Sequence, residues 1–78
     1  MDINEVHPGQ FVRWNKAGEF PSGAYDRCQV VKVESGNKHW LYGRPAPVYI
    51  RYGMGFMFKE WVPAHELELL WTPWTPPA

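Results

Sequence analysis

The run Val48-Tyr49-Ile50-Arg51-Tyr52-Gly53-Met54-Gly55-Phe56-Met57-Phe58-Lys59-Glu60-Trp61-Val62-Pro63 admits few conformations. Val48 to Tyr52 is rich in β-branched and aromatic residues, Gly53-Met54-Gly55 supplies two glycines for a turn, and Phe56 to Val62 is a second β-favouring stretch stopped by Pro63. This pattern predicts a β-hairpin. A lone hairpin is marginal in water, so further strands must cover its apolar side. Strand alternation puts Val48, Ile50 and Tyr52 on one face and Tyr49 and Arg51 on the other, with Val48 and Ile50 in the core. In the second strand, Phe56 and Phe58 share one face and Met57 and Trp61 the other. Assigning Met57 and Trp61 to the core leaves Phe56 and Phe58 facing outward, near Tyr52 and Tyr25.

The remaining strands are short and separated by turn residues. His7-Pro8-Gly9 launches a strand over Gln10–Trp14, and Asn15–Asp26, with Gly18, Pro21, Ser22 and Gly23, reads as a long loop. Arg27–Glu34, with Val30, Val31 and Val33, is a strand by propensity. Ser35-Gly36-Asn37-Lys38 is a turn, and His39-Trp40-Leu41-Tyr42 a short strand or strand end. Gly43-Arg44-Pro45-Ala46-Pro47 breaks it, because proline has no N–H to give a sheet. Pro63-Ala64-His65-Glu66-Leu67 suits one helical turn with proline first, and Glu68-Leu69-Leu70 a closing strand. The expected fold is all-β: a small five-stranded SH3-like barrel over residues 1–70, with one short helical turn near 63–67. An alternative makes Ala64–Leu70 a true helix packed on a four-stranded sheet. Residues 71–78 form a tail, Trp71-Thr72-Pro73-Trp74-Thr75-Pro76-Pro77-Ala78, whose prolines favour an extended polyproline-type segment. Trp71, Pro73 and Trp74 are expected either to fold back on the barrel, to dock on a neighbouring subunit, or to meet another protein's aromatic groove.

Seventy-eight residues make one domain with a modest core. The single Cys28 excludes an intrachain disulfide, so large side chains or a partner must supply stability. Aromatic residues are 17% of the chain, more than a domain of this size hides, which favours a binding face or a homo-oligomer interface. Formal net charge is +0, unevenly spread: Arg27, Lys32, Lys38, Arg44, Arg51 and Lys59 face only Glu34 between residues 27 and 59, while Asp2, Glu5, Glu19 and Asp26 precede them and Glu60, Glu66 and Glu68 follow. The basic middle is either a phosphate-binding stripe or is paired by the acidic ends once strands align. The acidic Met1-Asp2-Ile3-Asn4-Glu5 is no signal peptide, and no apolar run spans a membrane, so a cytoplasmic protein without membrane partners is expected.

Conventional catalysis finds no support in the spacing of reactive residues. Cys28, Ser22, Ser35, His7, His39 and His65 lie in no nucleophile elbow, and Cys28 falls inside a predicted strand, where a buried thiol is ordinary. No two of the histidines and the cysteine stand at ligand spacing, and neither phosphate-loop nor dinucleotide glycine patterns occur, so neither a metal nor a cofactor is expected. The chemistry available is that of aromatic surfaces: rings attract cations by their faces, stack bases or grip prolines.

The segment Gly53-Met54-Gly55-Phe56-Met57-Phe58-Lys59-Glu60-Trp61-Val62-Pro63 resembles the corresponding hairpin of chromo-barrel and Tudor-like domains, matching at Gly53, Phe58, Glu60, Trp61 and Val62. Pro8-Gly9-Gln10-Phe11-Val12 is similar to their first strand. The resemblance covers about a third of the chain and implies an SH3-like fold with Trp61 in the core and Phe58 as an aromatic-cage wall. Met54 stands where chromo barrels place a second cage tryptophan, Arg51 where they place a tyrosine, and Tyr52 one step late. In size and oligomeric kind the chain is also similar to the plasmid-borne trimethoprim-resistant dihydrofolate reductases, but their Val-Gln-Ile-Tyr motif is absent, and Val48-Tyr49-Ile50-Arg51 is not its equivalent.

The sequence thus favours a non-catalytic binding module that takes a peptide or protein segment on Tyr25, Tyr52, Phe56 and Phe58, with Arg51 as a partner for an anion or carboxylate. Two alternatives stay open. One is a single-stranded nucleic-acid binder using Lys32, Lys38, Arg44 and Arg51 with Tyr49; the other is an oligomeric barrel enzyme with a composite pore.

Overall fold

A computed structural model describes residues 1–16, 25–36 and 38–74. The predicted loop residues 17–24, Ser22 among them, Asn37 of the predicted turn and tail residues 75–78 lie outside the described residues. The described chain is all-β, with three short 3-10 turns and no α-helix. Seven strands follow in order: β1 (Phe11–Trp14), β2 (Cys28–Val33), β3 (Trp40–Leu41), β4 (Arg44–Pro45), β5 (Val48–Tyr52), β6 (Phe58–Val62) and β7 (Leu67–Trp71). Five of them make one antiparallel sheet in the order β6-β5-β2-β1-β7, and β3 and β4 pair as a separate small hairpin.

The expected closed barrel is not formed by pairing: the sheet is open, with β6 and β7 as its edges. Two register shifts, between Val30 and Lys32 of β2 and between Phe11 and Val12 of β1, interrupt the ladders. Such bulges add bend and twist. One face accordingly wraps a core of Val6, Val12, Trp14, Cys28, Val30, Val48, Ile50, Val62 and Leu67. The Met1 amino group donates to the carbonyls of Ala64 (3.1 Å) and Leu67 (2.8 Å), fastening the amino-terminal segment over the β6–β7 connection. That connection is the expected helical turn, a 3-10 turn over Ala64–Glu66. The alternative helix over Ala64–Leu70 is excluded, since Leu67–Trp71 is strand.

Three boundaries depart from expectation. Gly43–Pro47 does not break the chain into loop, because Arg44 and Pro45 form β4 opposite Leu41 and Trp40. Proline is tolerated there because a two-stranded hairpin is all edge, and the neighbouring Ala46 N–H bonds the His39 carbonyl at 2.8 Å. The second hairpin strand begins at Phe58, since Met54–Phe56 is a 3-10 turn with Gly53 at φ +84°, Gly55 at φ +67° and Phe56 at φ +55°. Trp71 belongs to β7 rather than to an extended tail, and its ring stacks on Phe11 at 4.1 Å. Trp74 also folds back, against Gly9, where an added Cβ would meet the indole at 2.9 Å.

The ladder Val48↔Val62, Ile50↔Glu60 and Tyr52↔Phe58 sets the faces of β6. Val62 is buried with Val48 and Ile50, whereas Met57 is 69% exposed and Trp61 pairs with Tyr49 on the opposite face. The core assignment of Met57 and Trp61 was therefore inverted. Even-numbered positions share the inner face on both strands, so parity carries across the turn from Tyr52 to Phe58, and it is the apolar bulk of Met57 and Trp61 that misleads.

Candidate functional site

Trp14 is 2% exposed at the end of β1, and its indole N–H donates to the Glu66 carboxylate at 3.0 Å. Glu66 lies in the 3-10 turn before β7, and its carbonyl accepts from Asn15 N–H at 2.8 Å. The indole is thus held between the end of β1 and the turn before β7, and becomes the floor of an aromatic cluster. Tyr25 meets it edge-on at 5.1 Å, Tyr52 at 5.8 Å, and the two tyrosines lie 5.4 Å apart. Phe58 continues the row 5.6 Å beyond Tyr52 and is 49% exposed. Gly53 permits this approach, because a Cβ there would lie 2.5 Å from the Phe58 ring.

A cation already lies on the cluster. The Lys16 ammonium is 5.4 Å from the Trp14 ring centroid and 5.8 Å from that of Tyr25, within the range where a ring face attracts positive charge. Glu60 is directed to the same inner face by its pairing with Ile50, and its carboxylate adds to the influences that raise the Tyr52 hydroxyl pKa. The largest of these is burial, followed by Tyr25 and then Glu60.

Of the predicted contact residues, the structure brings together Tyr25, Tyr52 and Phe58, but not Phe56 or Arg51. Phe56 sits in the turn beneath the Arg51 guanidinium, 4.4 Å from ring centroid to Cζ. Arg51 Nε donates to Gln29 Oε1 at 2.8 Å, and its Nη2 bonds the same oxygen. Arg51 is thereby committed to its own sheet rather than offered to an external carboxylate. Sequence reasoning missed Trp14, Lys16 and Glu66. A tryptophan two residues before a lysine carries no motif of its own, and the strand order β5-β2-β1 is what brings Trp14 beside Tyr52.

The opposite face of the sheet carries a second aromatic group. His39 stacks on Trp61 at 3.5 Å with the rings 5° from parallel, and Tyr49 lies 4.7 Å from Trp61. Lys32 Nζ stands 5.7 Å over Tyr49 and 5.5 Å over Trp61. Glu34 joins them, accepting from His39 Nε2 at 3.1 Å and lying 3.4 Å from Lys32 Nζ. Beside them, the end of β2 and the β3–β4 hairpin enclose a cleft of about 180 Å³ lined in part by Lys38, Pro45 and Pro47.

The His39 hydrogen bond, more than the neighbouring Lys32, holds the Glu34 carboxyl below its ordinary value. A depressed carboxylate pKa contributes stability above the unfolded value, which is lost as pH falls through the lower folded one. In a carboxyl-carbon NMR titration, His39→Ala is therefore expected to raise the Glu34 midpoint further than Lys32→Ala does. An equal or larger rise in Lys32→Ala would place the main cause on the lysine.

Of the residues considered for catalysis, His39 is engaged in this second group by Trp61 and Glu34, and Ser35 lines the adjoining cleft. Cys28 is fully buried, its thiol donates to the Tyr25 carbonyl at 3.5 Å, and desolvation pushes its pKa up to about 11, against nucleophilic use. His65 is exposed beside Glu66. Among the described residues no three His, Cys, Asp or Glu side chains converge to hold a metal ion, and no helix is long and apolar enough to cross a membrane.

No family model, curated protein or solved structure matches this chain.

Proposed function

We propose that this chain is a small non-catalytic binding module that takes a cationic side chain of a peptide or protein segment on the Trp14, Tyr25, Tyr52 and Phe58 cluster. The observation that carries this is Lys16, whose ammonium lies over the faces of Trp14 and Tyr25 as a ligand's would. Glu60 on the same face adds favourable charge, and the raised Tyr52 pKa keeps that phenol neutral. The sheet order β6-β5-β2-β1-β7, with a 3-10 turn between β6 and β7, supports an SH3-like fold, and Phe58 in the cluster agrees with its role as a cage wall in the chromo-barrel and Tudor-like resemblance. Trp61, implied as core by that resemblance, lies on the outer face instead.

Tetramethylammonium and a trimethyl-lysine peptide are the probes of choice, followed by NMR. Both should shift the ring resonances of Tyr25, Tyr52 and Phe58, and Tyr52→Ala should weaken binding about tenfold or more, the equivalent of a desolvated cation–π contact. Tyr52→Phe, which keeps the ring, should bind nearly as well. If Tyr52→Ala and Phe58→Ala both bind like the parent chain, the cluster is not the site.

A further inference from the structure

We propose that Lys16 is a tethered competitor for the aromatic cluster, its ammonium holding the Trp14 and Tyr25 ring faces until the cationic side chain of a partner displaces it. Resting on the reading of that cluster as a cation site, this makes the chain its own inhibitor.

Lys16 is placed by a fixed backbone. Trp14 N–H donates to the Tyr25 carbonyl at 3.0 Å and Asn15 N–H to the Glu66 carbonyl at 2.8 Å, so the chain is pinned up to the residue before Lys16. The Trp14 indole is pinned as well, by its hydrogen bond to the Glu66 carboxylate. Asn15 is exposed, whereas Lys16 is half-buried, with its ammonium brought back to 5.4 Å from the Trp14 centroid and 5.8 Å from that of Tyr25. A lysine side chain gives up rotamer freedom to hold one position, and the attraction of the ring faces for its charge offsets that loss.

The cluster is too small for two cations. The ring centroids of Trp14, Tyr25 and Tyr52 lie within 5.8 Å of one another, so a second ammonium drawn to the same faces meets the first as a like charge at close range. The charge of Lys16 is felt as far as Tyr52, where it opposes the rise in hydroxyl pKa that burial, Tyr25 and Glu60 produce. A partner's cation and Lys16 therefore exclude each other over these rings. Lys16 has the advantage of its tether, since a short link to the site gives an effective concentration on the order of millimolar. The affinity a partner shows is then reduced to the fraction of chains in which Lys16 has left.

NMR titration with tetramethylammonium tests this on the parent chain, Lys16→Ala, Lys16→Arg and, as a charge control at the cleft beside the outer aromatic group, Lys38→Ala. In the parent chain the Lys16 ε-methylene protons should lie upfield of their free-lysine position, shifted by the ring currents, and tetramethylammonium should return them to it. Lys16→Ala should bind the probe about 3- to 10-fold more tightly, the factor gained when exposed cation–π contacts no longer compete. Lys16→Arg, which keeps a cation over the rings, and Lys38→Ala should bind like the parent. Lys16 ε-protons at the free-lysine position in the parent chain would overturn the competitor. So would equal affinity in the parent and Lys16→Ala while the Tyr25 and Tyr52 rings still respond, and both results leave the cation site standing. Weaker binding in Lys16→Ala would make Lys16 a part of the site and overturn its role as competitor. Absence of any Tyr25, Tyr52 or Phe58 response in both chains would remove the cation site itself, and the competitor with it.

Discussion

Replacing Ile50 by alanine is expected to remove about 2–5 kcal/mol of stability, enough to leave much of the population unfolded. Ile50 is fully buried, sits on β5 between β2 and β6, and pairs with Val30 and Glu60. Loss of its branched side chain opens a cavity at the centre of the sheet, where both neighbouring strands are hydrogen-bonded and cannot collapse inward. A domain of this size rarely holds more than about 3–5 kcal/mol, so one such cavity is a large fraction of the whole. Urea denaturation and the dispersion of amide NMR signals measure it, with Ile50→Val expected to lose only about 1 kcal/mol. Met57→Ala is the informative comparison. At 69% exposure, Met57 should tolerate alanine within about 0.5 kcal/mol. A loss at Met57 comparable to that at Ile50 would show that the faces of β6 are the reverse of those described.

The second large effect is expected at Gly53, where alanine should cost about 2–4 kcal/mol. Gly53 has φ +84° and ψ 178°, a region essentially restricted to glycine, and an added Cβ would stand 2.5 Å from Phe58 Cδ2 and 3.1 Å from Cε2. Backbone strain and ring displacement therefore act together. Phe58 must swing away from Tyr52, so the same substitution should open the aromatic cluster and weaken tetramethylammonium binding. Gly55 isolates the two effects. It also has positive φ, +67°, but an added Cβ there would meet nothing within 4 Å, so Gly55→Ala should show only the backbone penalty, about 1 kcal/mol, and leave the ring contacts intact. Equal losses at the two glycines, with Tyr52–Phe58 ring contacts preserved in Gly53→Ala, would remove Phe58 from the argument.

These comparisons show which parts of the molecule could be read from residues alone. The inward set Val48 and Ile50 was legible because β5 runs without interruption and alternation has a period of two. The inward set of β6 was misread because apolar bulk favours Met57 and Trp61 over Glu60 and Val62, although the even positions that face inward on β5 also face inward on β6. Pro45 concealed β4, since its missing N–H argues against a strand everywhere except at an edge. Tyr25, Tyr52 and Phe58 could be nominated as rings near one turn, yet Trp14 and Lys16 were invisible as partners. They reach Tyr52 only across two strand boundaries.

The sequence by itself determined that the chain is all-β, where most strands and turns fall, and that Val48 and Ile50 must be inside. These follow from local sterics, β-propensity and the glycine and proline rules, which act over a few residues. The tertiary structure alone decided that the sheet stays open, that Trp61 joins His39 outside while Val62 goes inside, and that Arg51 is committed to Gln29 and Phe56. It also decided that Trp14 becomes the floor of the candidate site. Each of those depends on register between strands distant in sequence, which is selected by burying one face of the whole sheet at once and is not written in any single segment.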